Sequence, residues 1–317
     1  MEVGSRMNRN SHSMEKLFIY DITPSDDLYR TIRDENRPRV AELKYYMENL
    51  WKIYYPYSDT DFRLQLAHDF HARFWEMYLT CTLISKSFNV VPKRKRSEGP
   101  DILIEESSQC IFIEAIAPSE GYNENLDKVP KLKSNDATHI PDTEIILRYS
   151  GSIADKYKKY HTYLNHRIIS PRDSYVIALN SCKIDAAIVD QTTTTDIPRI
   201  MKAVLPIGYK QVQISRLSAP VVNWTYQYRP NIYRKSGSAV PTDLFLRPEY
   251  ANLSGIIYSR SDVANHATQM GDDLIFIHNP KSTQNGVPRG YFKFGIEYFI
   301  TLNNDGSTIS WDRHDWH

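Results

Sequence analysis

The chain of 317 residues lacks several features that define common classes of protein. It has no apolar run near the roughly eighteen residues that a membrane-spanning helix needs, and its first fifteen residues lack the apolar core of a signal peptide. The three cysteines, Cys81, Cys110 and Cys182, are far apart and form no CxxC pair, so neither a zinc ribbon nor a disulfide framework is indicated. These absences predict a soluble, cytoplasmic protein that does not enter a membrane.

An excess of charge of either sign is also missing. Thirty-nine basic side chains balance thirty-eight acidic ones, which excludes a protein that coats nucleic acid through bulk charge. Any contact with nucleic acid must therefore be local. The sequence contains no GxSxG, GxxxxGK[ST] or GxGxxG motif, which removes the usual signatures of serine hydrolases, P-loop proteins and dinucleotide-binding folds.

Hydrophobic periodicity predicts helices and strands in an alternating order. Two helices are predicted first, one over 36–55 and one from Asp59 or Thr60 to about Lys86. Three short β-branched runs follow, and then a helix and a fully buried strand. The predicted strands lie at 88–92, 101–105 and 110–117, the later helix at 143–164 and the buried strand at 174–180.

The chain divides on these patterns into four segments: a disordered leader at 1–15, a helical segment at 16–58, a core at 59–190 and an extension at 191–317. The extension predicts strands at 254–259, 273–278 and 291–301, with a hairpin turn at 304–306 leading into 308–311. It is open whether this extension continues the same domain, recognises a substrate or forms a dimer interface.

Two acidic residues stand out in the second and third predicted strands. If these strands form a hairpin that turns at Ser107 and Ser108, the symmetric register places Asp101 directly opposite Glu114. Directly opposed side chains share a face of the sheet and repel each other when both are charged. A divalent cation removes that conflict, and carboxylate oxygens suit Mg²⁺ or Mn²⁺. The alternative is that Asp101 ends a strand while Glu114 serves as a cap or pairs with a surface arginine.

These residues resemble a known family. Pro100-Asp101, a gap of twelve residues and then Glu114-Ala115-Ile116, after a helix that carries Glu76, are similar to the motif of the PD-(D/E)XK phosphodiesterase superfamily. The resemblance implies an α/β, restriction-endonuclease-like core of helix, three strands, helix and strand, here with a mixed, β-rich C-terminal extension. It also implies that Asp101 and Glu114 bind Mg²⁺ or Mn²⁺ and that Glu76 assists.

The chain departs from the family at one position. The lysine of the motif, which orients the attacking water or stabilises charge in the transition state, would fall at position 116, where this chain has Ile116. Displaced lysines are known in the superfamily, and Lys156 in the helix at 143–164 borders the predicted buried face. Arg148 and Lys159 fall on the more exposed side, where they are candidates for contacts with backbone phosphates.

A run of four basic residues, Lys93, Arg94, Lys95 and Arg96, precedes the proposed site and is a second candidate for phosphate binding. A solvated turn or a localisation signal explains such a run equally well. The favoured hypothesis is a Mg²⁺-dependent nuclease that acts on DNA, with a homodimer left open. Two other hypotheses are a nuclease-like module that has lost catalysis and binds nucleic acid or a protein, and a scaffolding protein whose acids are structural.

Overall fold

A seven-stranded mixed sheet with helices packed on both faces forms the centre of the fold, in a mixed α/β arrangement. The computed structural model describes residues 14–96, 98–107, 109–121, 127–131, 140–188, 190, 197–214, 222–303 and 308–316. The predicted leader at 1–15 lies mostly outside these residues, as do Ser108 of the first predicted turn and the second predicted turn at 304–306.

The helices and strands have the following bounds. The six helices are α1 (Asp27–Asp34), α2 (Pro38–Tyr54), α3 (Phe62–Leu66), α4 (Phe70–Ser85), α5 (Asp142–Asn165) and α6 (Arg199–Val204) among the described residues. The strands there are β1 (Ile102–Glu105), β2 (Cys110–Ile116), β3 (Ser174–Asn180), β4 (Ile207–Ile214), β5 (Val222–Tyr228), β6 (Asn231–Tyr233), β7 (Ala239–Pro241), β8 (Leu253–Ser259), β9 (Ile275–His278), β10 (Ile296–Leu302) and β11 (Ile309–Asp315).

The large sheet has the strand order β1-β2-β3-β8-β9-β10-β11. β1 and β2 form an antiparallel hairpin, whereas β2, β3 and β8 are parallel, with α5 as the crossover between β2 and β3. Strands from the C-terminal part of the chain thus continue the same sheet. The ribbons β4–β5 and β6–β7 are inserted between β3 and β8 and pair separately.

Alternate residues of the central strands enter two hydrophobic clusters. On one face, Ile113 and Val176 pack with the aromatic side chains of α2 and α4, such as Trp75, whose indole N–H donates to the Ala178 carbonyl at 2.9 Å. On the other face, side chains of α5 and α6 pack on the sheet. Every residue of β3 is buried, as its continuous apolar run predicts. Because the sheet is covered on both sides, polar groups inside it require partners.

The predicted helix from Asp59 or Thr60 to Lys86 is wrong as a single element. The helix is interrupted between Leu66 and Phe70. Asp69 caps α4 by accepting a hydrogen bond from the Ala72 backbone N–H at 3.3 Å. The apolar spacing continues through the break because Leu66 and Phe70 are both buried. Periodicity alone therefore does not reveal this helix boundary.

The predicted strand at 88–92 is reduced to one bridge between Val90 and Ile104. The Val91 N–H donates to Leu103 at 2.8 Å, but Pro92 follows and has no N–H with which to extend the ladder. In the C-terminal part, the strand predicted at 291–301 begins only at Ile296, and the hairpin strand expected at 308–311 is found at Ile309–Asp315.

The buried carboxylate of Glu297 holds the ends of β9 and β10 together. It accepts hydrogen bonds from His278 Nε2 at 2.6 Å, from the Gly290 N–H at 3.0 Å and from Trp316 Nε1 at 2.8 Å. Burial raises the pKa of Glu297, but the hydrogen bonds from His278 and Gly290 outweigh burial and lower the pKa below its ordinary value.

We expect Glu297→Gln to reduce the free energy of unfolding at neutral pH by about 1.5–3 kcal/mol, because it weakens hydrogen bonds to a charged acceptor. The folded-state pKa lies below the unfolded value of 4.5, so this contribution is fully present above that value and is lost as the pH falls through the folded-state pKa. Urea unfolding at several pH values measures it. A difference between wild type and variant that does not shrink in acid would contradict this account, and Glu105→Gln, an exposed change, is the control.

Candidate functional site

The β1–β2 hairpin has the predicted register. Ile102 pairs with Ile113 and Glu105 with Cys110, and one further residue in the same register places Asp101 opposite Glu114. Asp101 Oδ2 accepts a hydrogen bond from the Ala115 backbone N–H at 2.8 Å, which fixes this carboxylate at the end of β2. The two predicted acids therefore lie side by side at one edge of the hairpin.

The Glu114 carboxylate is held by the helix that crosses the sheet. Its Oε1 accepts hydrogen bonds from Lys156 Nζ and from Lys159 Nζ, each at 2.7 Å, and the Tyr163 hydroxyl lies 3.5 Å from Oε2. These three residues are one and two turns apart on α5, so they share the helix face that covers β2. Only 2% of the Glu114 side chain is exposed, and two ammonium groups offset the cost of burying its charge.

The charge of Glu114 shifts the pKa values of two of these partners. Burial lowers the pKa of Lys159, but the hydrogen bond to Glu114 and its charge have the larger combined effect and raise that pKa above its ordinary value. Burial and the Glu114 charge raise the pKa of Tyr163 to about 12. At neutral pH, Lys159 is therefore a cation and Tyr163 a neutral hydrogen-bond donor.

Glu76 lies at a second acidic position, on α4. It is buried and accepts hydrogen bonds from the Tyr54 hydroxyl at 2.8 Å, from Arg73 Nη1 at 2.6 Å and from Lys93 Nζ at 2.5 Å. Burial, together with the charge of Asp101, raises the pKa of the Glu76 carboxyl. Asp101 is thus close enough to Glu76 to repel it, while its charge also acts on Lys159. Asp101 lies between the other two acids.

Lys93 connects three of the acids. Its Nζ lies 3.8 Å from Asp101 Oδ1 and 3.4 Å from Asp59 Oδ2, in addition to its contact with Glu76. Burial lowers the pKa of Lys93, but the charges of Glu76 and Asp101 have the larger combined effect and raise it. The residue is a third lysine at the site, beside Lys156 and Lys159.

The four-residue basic run does not form one surface. Lys93 and Arg96 turn inward, and Arg96 donates to the carbonyls of Pro100 at 2.8 Å and Asp101 at 3.0 Å, which holds the start of the motif. Arg94 is exposed and lies over the Tyr55 ring, and Lys95 is exposed. Phosphate binding by this run remains a prediction, and its outward-facing members are Arg94 and Lys95.

The positions predicted for the lysines of α5 are correct for Lys156, which borders the buried face, and incomplete for Lys159, which was expected on the more exposed side. Both ammonium groups reach Glu114, although half of the Lys159 side chain is exposed, because a long lysine stem can cross the boundary of a helix face. Arg148 lies apart from them. Its Nε donates to the Ser119 carbonyl at 2.9 Å, and it lines a separate hollow of about 110 Å³ with Ser152.

Sequence reasoning missed several members of the site. Arg73 precedes Glu76 by three residues on a helix, a spacing that brings side chains together and that was available as a signal. Tyr163 follows Lys156 by two turns on α5 and was detectable in the same way. No local pattern links Tyr54 to Glu76, since that contact depends on how α2 packs against α4.

The number and type of side chains at the site determine which metal ion it could bind. In the described part of the chain, no group of three or more His, Cys, Asp or Glu side chains is arranged to hold a metal ion. Mg²⁺ retains several waters and commonly uses only one or two carboxylates together with substrate phosphates, so the pair of Asp101 and Glu114 suits it in number and in chemistry. The site also contains an excess of cations, with the five basic side chains Arg73, Lys93, Arg96, Lys156 and Lys159 near the four acids Asp59, Glu76, Asp101 and Glu114.

No family model matches the chain, and no curated protein or solved structure matches it either. The resemblance to the PD-(D/E)XK superfamily therefore depends on the motif residues and on the order of the elements around them. In the described ranges, no helix is long and apolar enough to cross a membrane.

Proposed function

We propose that the protein is a Mg²⁺-dependent nuclease that hydrolyses phosphodiester bonds in nucleic acid, with DNA as the expected substrate. The observation that carries the proposal is the hairpin register, which brings Asp101 beside Glu114 while two lysines of α5 reach the same carboxylate. Two neighbouring carboxylates can hold a divalent ion, and lysines beside them can stabilise negative charge on a phosphate, so the arrangement suits metal-dependent phosphodiester hydrolysis.

The order of elements supports the proposal. The helix α4, a strand-like bridge at Val90, the hairpin β1–β2, the crossover helix α5 and the parallel strand β3 follow one another as in the restriction-endonuclease-like core. We therefore propose that residues 59–190 form such a core and that β8–β11 extend its sheet.

Asp101 and Glu114 are the residues that would hold the ion, with Glu76 as a supporting acid. When bound, Mg²⁺ would polarise the phosphodiester and lower the pKa of a coordinated water. Lys156 takes the role of the motif lysine, whose position is occupied by Ile116 in this chain. Its ammonium lies at the Glu114 carboxylate and is positioned to stabilise negative charge that develops on the phosphate. The half-exposed Lys159 would contact the substrate backbone beside it.

Cleavage and metal binding together test this function. We expect plasmid and single-stranded DNA to be cleaved in Mg²⁺ or Mn²⁺ and to remain intact when EDTA is present. By calorimetry, Mn²⁺ should bind the wild-type chain and should bind Glu114→Gln at least about tenfold more weakly, because the variant loses a charged ligand. Absence of both cleavage and ion binding in the wild type would refute the proposal.

A catalytically inactive module that binds nucleic acid or a protein partner is the second candidate. Two observations favour it: Ile116 stands in place of the motif lysine, and the carboxylates of Glu76 and Glu114 are each already paired with cations. This module would bind nucleic acid in a gel shift without binding Mn²⁺, whereas the nuclease binds both.

All three cysteines are free thiols, which supports the proposed cytoplasmic location.

A further inference from the structure

Charge is distributed unevenly along the C-terminal part of the chain. Between Asp196 and Asp243 there is no acidic residue, although acids and bases are balanced over the whole sequence. The same stretch contains the seven basic residues Arg199, Lys202, Lys210, Arg216, Arg229, Arg234 and Lys235. Among them, Arg199 pairs with Asp142 and Arg234 with Asp127. The stretch as a whole is suited to an anionic partner.

The ribbon β4–β5 lies within this stretch and presents aromatic rings on one face. Lys210 pairs with Tyr226 and Val212 with Trp224, so these side chains share a face, and strand alternation adds Tyr228. Alternate residues of an antiparallel strand are about 6.8 Å apart, which places the three rings of β5 in an evenly spaced row.

Two of these rings are unusually exposed for their size. The exposed fraction is 62% for Trp224 and 66% for Tyr228, and Lys210 Nζ lies 4.7 Å from the Trp224 ring centre. The middle ring, Tyr226, contacts Trp311 of β11 edge-on, with ring centres 5.6 Å apart. The ribbon and β11 thus line an open groove of about 560 Å³ with aromatic walls, and Lys210 lies beside one of these walls, Trp224.

We propose that this groove binds single-stranded nucleic acid, with bases stacked on Trp224 and Tyr228 and Lys210 near the phosphates. The inference rests on the proposed nuclease function and identifies the part of the molecule that binds the nucleic-acid strand of the substrate. Aromatic rings stack on unpaired bases of any sequence, and nearby cations follow the backbone. A duplex offers no free base faces, because its bases already stack on each other.

A second copy of the chain is a poorer occupant for the same surface. In a two-fold symmetric dimer, each ribbon would face its own copy, so the acid-free, basic stretches would be brought together. Like charges across an interface disfavour association, whereas the phosphates of a nucleic-acid strand complement them.

The groove is attached to the face of the sheet that α5 covers, where Glu114 lies. α6 packs on α5, the helix of Lys156 and Lys159, and leads through Pro206 into β4. The hairpin β6–β7 that follows the ribbon also contacts α5. A nucleic-acid strand bound in the groove is therefore connected, through α6 and β6–β7, to α5, the helix that carries both lysines.

Fluorescence anisotropy with a labelled oligothymidylate, measured with the full chain in EDTA, tests the inference. We expect Trp224→Ala combined with Tyr228→Ala to raise the Kd at least about tenfold, since two stacking contacts are removed. Trp224→Phe keeps an aromatic ring and should bind within about threefold of wild type. Tyr45→Ala is the matched control, because Tyr45 is 69% exposed on α2. A hairpin duplex should bind more weakly than the single strand.

Several results would overturn the inference. One is an unchanged Kd in the double variant with a circular dichroism spectrum like that of wild type. Another is tighter binding of the duplex, and a third is a wild-type dimer in sedimentation that the double variant converts to a monomer. Cleavage separates the two proposals. Normal metal-dependent cleavage together with unchanged strand binding in the double variant overturns only the groove. If the double variant loses strand binding and the wild type neither cleaves DNA nor binds Mn²⁺, the groove is supported and the nuclease is refuted.

Discussion

Asp101→Asn should reduce metal-dependent DNA cleavage by at least about a thousandfold. A bound divalent ion contributes several kcal/mol of transition-state stabilisation, and about 4 kcal/mol corresponds to this factor. The amide oxygen of the variant can still accept the hydrogen bond from the Ala115 N–H, so the hairpin should keep its structure while the charged ligand is lost. The initial rate of cleavage of a labelled oligonucleotide in excess Mg²⁺ measures the effect.

The matched control for this change is Asp155→Asn. Asp155 lies next to Lys156 on α5, but its side chain is 73% exposed and pairs with Lys158, away from the acids. The control should cleave within about twofold of wild type. If Asp101→Asn cleaves as fast as Asp155→Asn, Asp101 is not a metal ligand and the nuclease proposal fails.

The elements that carry the site were predictable where one periodicity continues without interruption. The helix expected at 143–164 is found at Asp142–Asn165, and the strand at 174–180 has the bounds predicted for it. The register of the hairpin was predictable because a short turn leaves few alternatives and a slip of one residue would move every side chain to the opposite face of the sheet.

The partners of the acids were less accessible to sequence reasoning. Glu76, Asp101 and Glu114 could be named from the motif, but the contacts of Glu76 with Tyr54 and Lys93 join residues that are distant in the chain. Such contacts follow from the packing of α2 against α4 and from the inward turn after Pro92. The aromatic groove was not predicted for a similar reason. It depends on the pairing of β5 with β4 and on the proximity of this ribbon to β11, which are tertiary features.

The two lysines of α5 provide the second large expected effect. Replacing Lys156 and Lys159 together with Met should reduce the free energy of unfolding by about 3–5 kcal/mol, because the buried Glu114 carboxylate would lose both cations that compensate its charge. Urea unfolding monitored by circular dichroism measures the loss. Lys158→Met, on the exposed side of the same helix, should change stability by less than about 0.5 kcal/mol.

Adding Glu114→Gln to the double variant should restore most of the lost stability, since a neutral amide requires no cation. This rescue distinguishes an uncompensated charge from simple loss of lysine packing, which Glu114→Gln would not repair. If the triple variant is as unstable as the double, the stems of the two lysines, rather than their charges, stabilise this part of the fold.

The same double variant also tests metal ligation without a cleavage assay. A divalent ion at Asp101 and Glu114 supplies the positive charge that the missing lysines provided, so Mn²⁺ should raise the Tm of the double variant by more than it raises that of wild type. The effect should vanish in the triple variant, where the Glu114 carboxylate is gone. If Mn²⁺ shifts the Tm of the double and triple variants equally, the ion binds elsewhere, and Glu114 serves to anchor α5 to β2 rather than to hold a metal.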